Sequence, residues 1–360
     1  MAAAKPVMVE AGGREVRVSS PDRVIYEATD TTAEVTKLMV AEYFASVEDG
    51  LMRALRDRPT ALERWTSGVR PGMKLATGPQ DRNADAFYQK RVPKGAPDYL
   101  ETATITFPSG RTADEICPTE IAVPVWCAHM GTLTFHPWPV RRTDVDAPDE
   151  LRIDLDPQPG TTFGDAMRVA GVARELLADL GMAGFAKTSG NRGIHIYVRI
   201  KPEWDFAAVR HAAIAFGREL EKRDDGVTTA WWKEERGERI FVDFNQNTRD
   251  RTIASAYSLR PIAGAPVSTP VTWDELATLT SPSVFNLFTV PERLASDGDP
   301  WATIDDEHHS LQPLLDLWDE HPVELNFPPD HPKMPGEPPR VQPSKKVESH
   351  WDEAGNRIVD

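Results

Sequence analysis

The chain has 360 residues, 40% of them apolar, with 31 prolines, two cysteines and a formal net charge of −15. That length suggests two lobes around a sizeable core, and no run is apolar and long enough to span a bilayer. The charge is uneven, −3 over the first 260 residues and −12 over the last hundred, so the total does not exclude a local basic groove of the kind that nucleic-acid phosphates require.

In chain order, residues 1–13 lack the apolar segment of a secretion signal. The stretch "TKLMVAEYFASVEDGLMRAL" (36–55) reads as one amphipathic helix, with Leu38, Tyr43 or Phe44, Val47 and Leu51 near a 3.6-residue period. Residues 59–72 read as a strand and a Gly-Pro turn, 87–100 as a strand running into a loop, and 102–116 as a strand and hairpin. Cys117 and Cys127 lack metal-ligand spacing, so reduced thiols in a cytoplasm are expected.

From about 120 to 262, strands and helices alternate. Strands fall at 132–138 and 151–156. A helix at 162–181 is capped by Thr161 or Thr162 and stopped by Gly181. A strand, Gly turn and strand follow at 186–200, then a helix at 205–223 and a strand at 239–247. This β-β-α-β-β-α-β order predicts an α/β sheet with helices packed on it. A Pro-rich connection follows residue 262, then a helix at 311–321. The polar, Pro-rich tail from 327 is expected to be poorly ordered.

Within this frame, "LRIDLDPQPG" (151–160) places Asp154 and Asp156 on one face of a strand. Two like charges side by side need something positive between them, and a divalent metal with hard oxygen ligands suits the pair. "FVDFNQN" offers Asp243 as a third carboxylate in an apolar strand, where a charge is costly without a partner. Strand-end aspartates that cap the next turn are an equal reading of Asp-x-Asp alone. "KTSGNRGIHIY" (187–197) sets Ser189, Gly190, Arg192 and Gly193 in a turn that can offer backbone N–H groups, a hydroxyl and a guanidinium to a triphosphate. His195 follows on the outgoing strand. His136 in "TFHPW" and Arg260 in "YSLRP" read, each by itself, as a core histidine and a surface ion pair. Arg260 could instead clamp phosphates.

These pieces, in this order, resemble the polymerase domain of bacterial non-homologous end-joining ligases (DNA ligase D), a branch of the archaeo-eukaryotic primase superfamily. The resemblance rests on "FYQKRVPKGAPDY", "GTLTFHPW", "RIDLDP", "KTSGNRGIHIY", "FVDFNQN" and "YSLRP", and spans roughly residues 15–300. It implies an α/β fold with a primase-like catalytic core, in which mixed, antiparallel-rich sheets are flanked by helices beside an N-terminal α/β lobe. A catalytic domain is expected over 1–300, with lobes at about 1–118 and 119–300, then a helical extension over 301–326 and the tail over 327–360. No ligase or nuclease module follows in this sequence, so a stand-alone member is expected.

The resemblance also implies roles. Asp154, Asp156 and Asp243 would hold two Mn²⁺ or Mg²⁺ ions. His136, Ser189, Gly190, Arg192, His195, Gln246 and Arg260 would contact the nucleotide. Arg23 and Lys37 would bind the 5′-phosphate of a DNA gap, and Arg64, Trp65, Phe87, Lys90 and Lys94 would meet the template or the DNA. Glu63 stands where relatives often have lysine. The implied activity is primer extension and filling of short gaps in DNA repair, with ribonucleotides preferred. The implied partners are gapped or broken DNA, rNTP or dNTP, Ku and a separate ligase. A nucleoid-associated monomer is expected. The rival readings are a non-catalytic DNA-end scaffold and a metal-dependent phosphoesterase.

Overall fold

In the computed structural model, which describes residues 5–325 apart from 77–80, 82 and 108–109, two five-stranded sheets carry the fold. The N-terminal part contains β1 (Val7–Ala11), β2 (Arg14–Val18), β3 (Val24–Tyr26), β4 (Val35–Thr36), α1 (Lys37–Ser46) and α2 (Glu48–Leu55). It continues with β5 (Thr60–Arg64), β6 (Phe87–Gln89), β7 (Glu101–Thr106), β8 (Thr112–Cys117), α3 (Ala122–His129) and β9 (Thr132–Pro137). Then come β10 (Glu150–Pro157), α4 (Phe163–Asp179), β11 (Phe185–Thr188), β12 (Ile194–Arg199), α5 (Phe206–Arg223), β13 (Val227–Thr228), α6 (Lys233–Arg236) and β14 (Ile240–Val242). Three helices close the described chain, α7 (Trp273–Thr278), α8 (Thr289–Asp297) and α9 (Gln312–Glu320).

The second sheet runs β11-β12-β10-β14-β13, antiparallel except for β13–β14. Its middle strand shows why the sequence folds this way. In β10, Leu151, Ile153 and Leu155 are buried in the core shared with α4 and α5, which leaves Arg152, Asp154 and Asp156 to the other face. The flanking helices start and stop where local chemistry dictates. Thr162 and Asp165 form a capping box on α4, Gly181 follows that helix at φ 68°, and the Asp205 carboxylate caps α5. The mixed α/β, antiparallel-rich class expected from the sequence is the one observed.

Three elements differ from expectation. The helix expected over 36–55 is two helices that meet at Val47, where the backbone leaves the helical region at φ −109°, ψ 25°. In α2, Gly50 lies so close to Tyr257 that a Cβ there would sit 2.2 Å from the ring. The strand expected over 239–247 ends at Val242, because the Asp243 side chain accepts the Asn245 N–H and starts a 3-10 turn over Phe244–Asn247. Finally, β9 does not open the second sheet. It pairs with β5, Ala61 opposite His136, in the first sheet. Helix α3 turns the chain back to make this possible. Residues Ala122–Ala128 of α3 are all buried, so no polar face marks it as a helix. The Pro-rich tail lies outside the described residues.

A buried ion network ties the two sheets together just before β10. Arg58 pairs with Asp149 at 2.5 Å and with Glu150 at 2.9 Å. Arg199 pairs with Glu150 and reaches Asp305 at 2.7 Å. The Arg58 side chain is fully buried. Among the described residues, no helix is long and apolar enough to cross a membrane.

Candidate active site

Sheet register assembles the centre of the site. Lys187 on β11 pairs with His195 on β12, and His195 pairs with Asp154 on β10. One residue beyond the last β10–β14 pair, the Asp243 N–H donates to the Asp154 carbonyl at 3.0 Å. A lysine, an imidazole and two carboxylates therefore lie in one row, across three strands and the residue that follows β14. The Lys187 ammonium lies 2.8 Å from His195 Nδ1 and 2.5 Å from Ser268 Oγ. His195 Nε2 lies 3.4 Å from Asp154 Oδ1.

The row is electrostatically tense. Burial, reinforced by Asp243 and Asp156, pushes the Asp154 carboxyl well above the ordinary range. Burial also raises Asp243, against the pull of Arg251, Gln246 and Arg236. Burial and the Arg260 charge hold Lys187 well below its ordinary value. His195 is lowered by burial and then by Lys187, so it is neutral. Asp156, two residues beyond Asp154, is exposed, and its carboxylate accepts from Gln158 at 3.2 Å. Gln246 donates to Asp243 Oδ2 at 2.8 Å. Among the described residues, no three His, Cys, Asp or Glu side chains are gathered closely enough to hold a metal ion by themselves. The carboxylates form an open row, and hard cations complete such sets with water and substrate oxygens.

The Ser189–Gly193 turn lies at the edge of this row. Ser189 Oγ accepts the N–H groups of Asn191 at 3.2 Å and Gly193 at 3.0 Å, which closes the turn. Gly190 has φ 74°, and a Cβ there would meet Arg260 Cγ at 2.5 Å. Arg260 thus lies directly over the turn, and its buried Nε has no hydrogen-bond partner among the described residues. Arg192 is exposed. His136 is buried, with Nε2 3.0 Å from Glu63 Oε2 and its ring edge-on to Tyr88. Burial lowers His136 while Glu63 opposes it.

The residues expected to meet DNA divide. Strands β3 and β4 pair Val24 with Thr36, which brings Arg23 and Lys37 together; the Lys37 N–H donates to the Arg23 carbonyl at 2.8 Å. Burial, then Arg23, lowers the Lys37 amine to about 8. Phe87 is exposed beneath the Arg64 guanidinium, 5.2 Å from its ring centre. Lys94 is exposed, whereas Lys90 is paired with Asp250 at 2.5 Å. Trp65 is not placed for stacking. It is 5% exposed, and its indole N–H donates to Glu63 at 2.9 Å.

Several groups at the site carry no signal in the sequence. Lys187 stands at the edge of the glycine-turn motif, and nothing in its spacing marks it for full burial. Arg236, whose charge acts on both Asp156 and Asp243, is buried over the Phe241 ring at 3.4 Å. Arg17 and His129 join Arg23 and Lys37; burial and then Lys37 and Arg17 lower His129 to about 4. His129 stands at the end of α3, far from the others in sequence, so no local pattern points to it.

Comparison with known proteins agrees with this geometry. Residues 36–301 match the family model described as LigD, primase-polymerase domain. The chain is 32% identical over 295 residues to the multifunctional non-homologous end joining protein LigD of Mycolicibacterium smegmatis, covering 81% of this chain and 36% of that protein. It is 30% identical over 291 residues to the protein of the same description from Pseudomonas aeruginosa, covering 80% of this chain and 32% of that protein. It therefore spans about a third of the length of these curated relatives. Among solved structures, the polymerase domain of Mycobacterium tuberculosis Ligase D in complex with DNA superposes with a TM-score of 0.69 at 29% identity, covering 82% of this chain and 99% of that one. With its sheet register, its carboxylate row and these matches in agreement, the chain belongs to the LigD primase-polymerase domain family.

Proposed function

We propose that this chain is a template-directed nucleotidyltransferase that extends primers across short 5′-phosphorylated gaps in DNA, with ribonucleotides preferred. Family membership makes it an enzyme of the polymerase type; the substrate and the mechanism are our reading. The observation that supports it best is the meeting of carboxylates and anion-binding groups at one place. Asp154 adjoins both His195 and Asp243, and Arg260 lies over the Ser189–Gly193 turn.

Asp154, Asp156 and Asp243 provide only hard oxygens, which suits two Mn²⁺ or Mg²⁺ ions. Such ions, when bound, supply the Lewis acidity that activates a 3′-hydroxyl and neutralises leaving pyrophosphate. The chain's own groups do the rest. Arg260 and Arg192 orient the triphosphate. His195 is neutral and keeps Nδ1 on Lys187, so Nε2 is turned to Asp154. Arg23 and Lys37, with Arg17 and His129 beside them, form a basic pocket for a 5′-phosphate. Phe87 offers an exposed face to a template base, a contact worth roughly 1–3 kcal/mol. The ribonucleotide preference, Ku, a separate ligase and a nucleoid location follow from the resemblance.

Primer extension on a 5′-phosphorylated gap tests this reading, with rNTP or dNTP and Mn²⁺ or Mg²⁺. Wild type should extend, and the double variant Asp154→Ala, Asp156→Ala should not. DNA binding without extension by either protein would support the scaffold instead. Strand loss without nucleotide addition would support the phosphoesterase.

A further inference from the structure

The end of the described chain reaches back toward the candidate metal carboxylates through a single buried arginine. Glu324 accepts from Arg210 Nη1 at 2.5 Å with one carboxylate oxygen and meets His211 Nε2 at 2.5 Å with the other. Arg210 is 2% exposed. Its Nε donates to Asn245 Oδ1 at 3.0 Å. The Asn245 backbone N–H in turn donates to Asp243 Oδ1 at 3.1 Å. The segment that carries Glu324 is itself fastened to α5. Trp318 stacks flat on His211, with ring centres 4.1 Å apart, and Arg218 donates to the His321 carbonyl at 2.9 Å.

We propose that Arg210 is a positioning residue for Asp243, held in place by Glu324, so that the C-terminal segment after α9 sets the geometry of the metal-binding row. The inference rests on reading Asp243 as a metal ligand. Its physical basis is the arginine fork. One planar guanidinium spans a carboxylate on one side and an amide oxygen on the other, and a lysine cannot replace it there. Asn245 lies in the 3-10 turn that begins at Asp243, so its side chain and its N–H move as one unit. Releasing Arg210 frees that turn, and Asp243 loses the fixed Asn245 N–H that holds its Oδ1.

The test uses the full chain without DNA or nucleotide, and reads Mn²⁺ binding from the electron paramagnetic resonance of free Mn²⁺. Wild type, Asp243→Asn, Arg210→Lys and Glu324→Gln are compared, with hydrogen exchange of the 243–248 segment measured in each. Arg210→Lys should weaken Mn²⁺ about fivefold to tenfold and raise exchange in that segment. Glu324→Gln should act in the same direction, about twofold to threefold. Combining the two should give no more than Arg210→Lys alone, because both act through one chain of contacts. If Asp243→Asn weakens Mn²⁺ while Arg210→Lys and Glu324→Gln lower only the melting temperature, Arg210 is merely structural and the proposal is overturned. If Arg210→Lys does not fold, Glu324→Gln decides by the same criterion. If wild type binds no Mn²⁺, or Asp243→Asn leaves binding unchanged, the metal reading itself falls and this inference with it.

Discussion

Lys187 Nζ lies 2.8 Å from His195 Nδ1, deep in the sheet and without solvent contact. The Ser268 hydroxyl donates its one hydrogen to the Thr188 carbonyl at 3.0 Å, so it accepts from Lys187. With Lys187 as an ammonium, which can only donate, the imidazole proton lies on Nε2, facing Asp154.

Lys187→Met should therefore lower extension about 10-fold to 100-fold, a loss of about 1.4–2.7 kcal/mol. Binding of gapped DNA should survive. Nitrogen-15 spectra of His195 should shift from one tautomer to a mixture. An unchanged spectrum with unchanged extension would remove Lys187 from the site.

Asp154 makes the site unstable in order to make it functional. Burial and its neighbours raise its pKa, so its contribution to stability is full below the unfolded value of about 3.9 and is lost as pH rises. Without metal, Asp154→Asn should thus be more stable than wild type at pH 8, yet inactive. Thermal unfolding in EDTA at pH 6 and pH 8 measures this. Equal or lower stability of the variant at both values would refute it.

The network around Arg58 works in the opposite sense. Burial alone would raise Glu150, but Arg58, Arg152 and Arg199 bring it down to about 2, and Arg58 and its neighbours take Asp149 lower still. These carboxylates contribute stability that is present above their unfolded values and lost as pH falls toward 2. Arg58→Met should cost about 3–5 kcal/mol at pH 7, because it strands buried charge. The cost should shrink by pH 3, and urea unfolding at the two values decides.

Arg23→Gln combined with Lys37→Gln should remove the preference for a 5′-phosphate over a 5′-hydroxyl at a gap. The salt dependence of binding should flatten, its slope falling by about 1 for each phosphate the variant no longer neutralises. Fluorescence anisotropy at several salt concentrations measures both. A preference that survives would place the 5′-phosphate elsewhere.

Gly190→Ala tests the turn. The backbone there disfavours any other residue, and the added carbon would displace Arg260. The KM for nucleotide should rise about 10-fold while gapped-DNA affinity holds. A change in kcat alone would mean that Arg260 does not bind the triphosphate.

Elements whose chemistry is local were legible from the residues alone. Alternation in "LRIDLD" placed Asp154 and Asp156 on one strand face, Thr162 and Gly181 bounded α4, and Asp205 opened α5. These follow from side-chain period and capping, which act over a few residues. The rest came from packing between distant elements. Lys187 became a buried partner of His195 only through the register of β11 on β12. Trp65 turned inward because Glu63 accepts its N–H. Helix α3 stayed hidden because burial on every side erases periodicity, and with it went the placement of β9 beside β5. His129 reached Lys37, and Glu324 reached Arg210, across more than ninety residues of chain. Such pairings depend on how whole elements pack, and no short stretch of sequence records that.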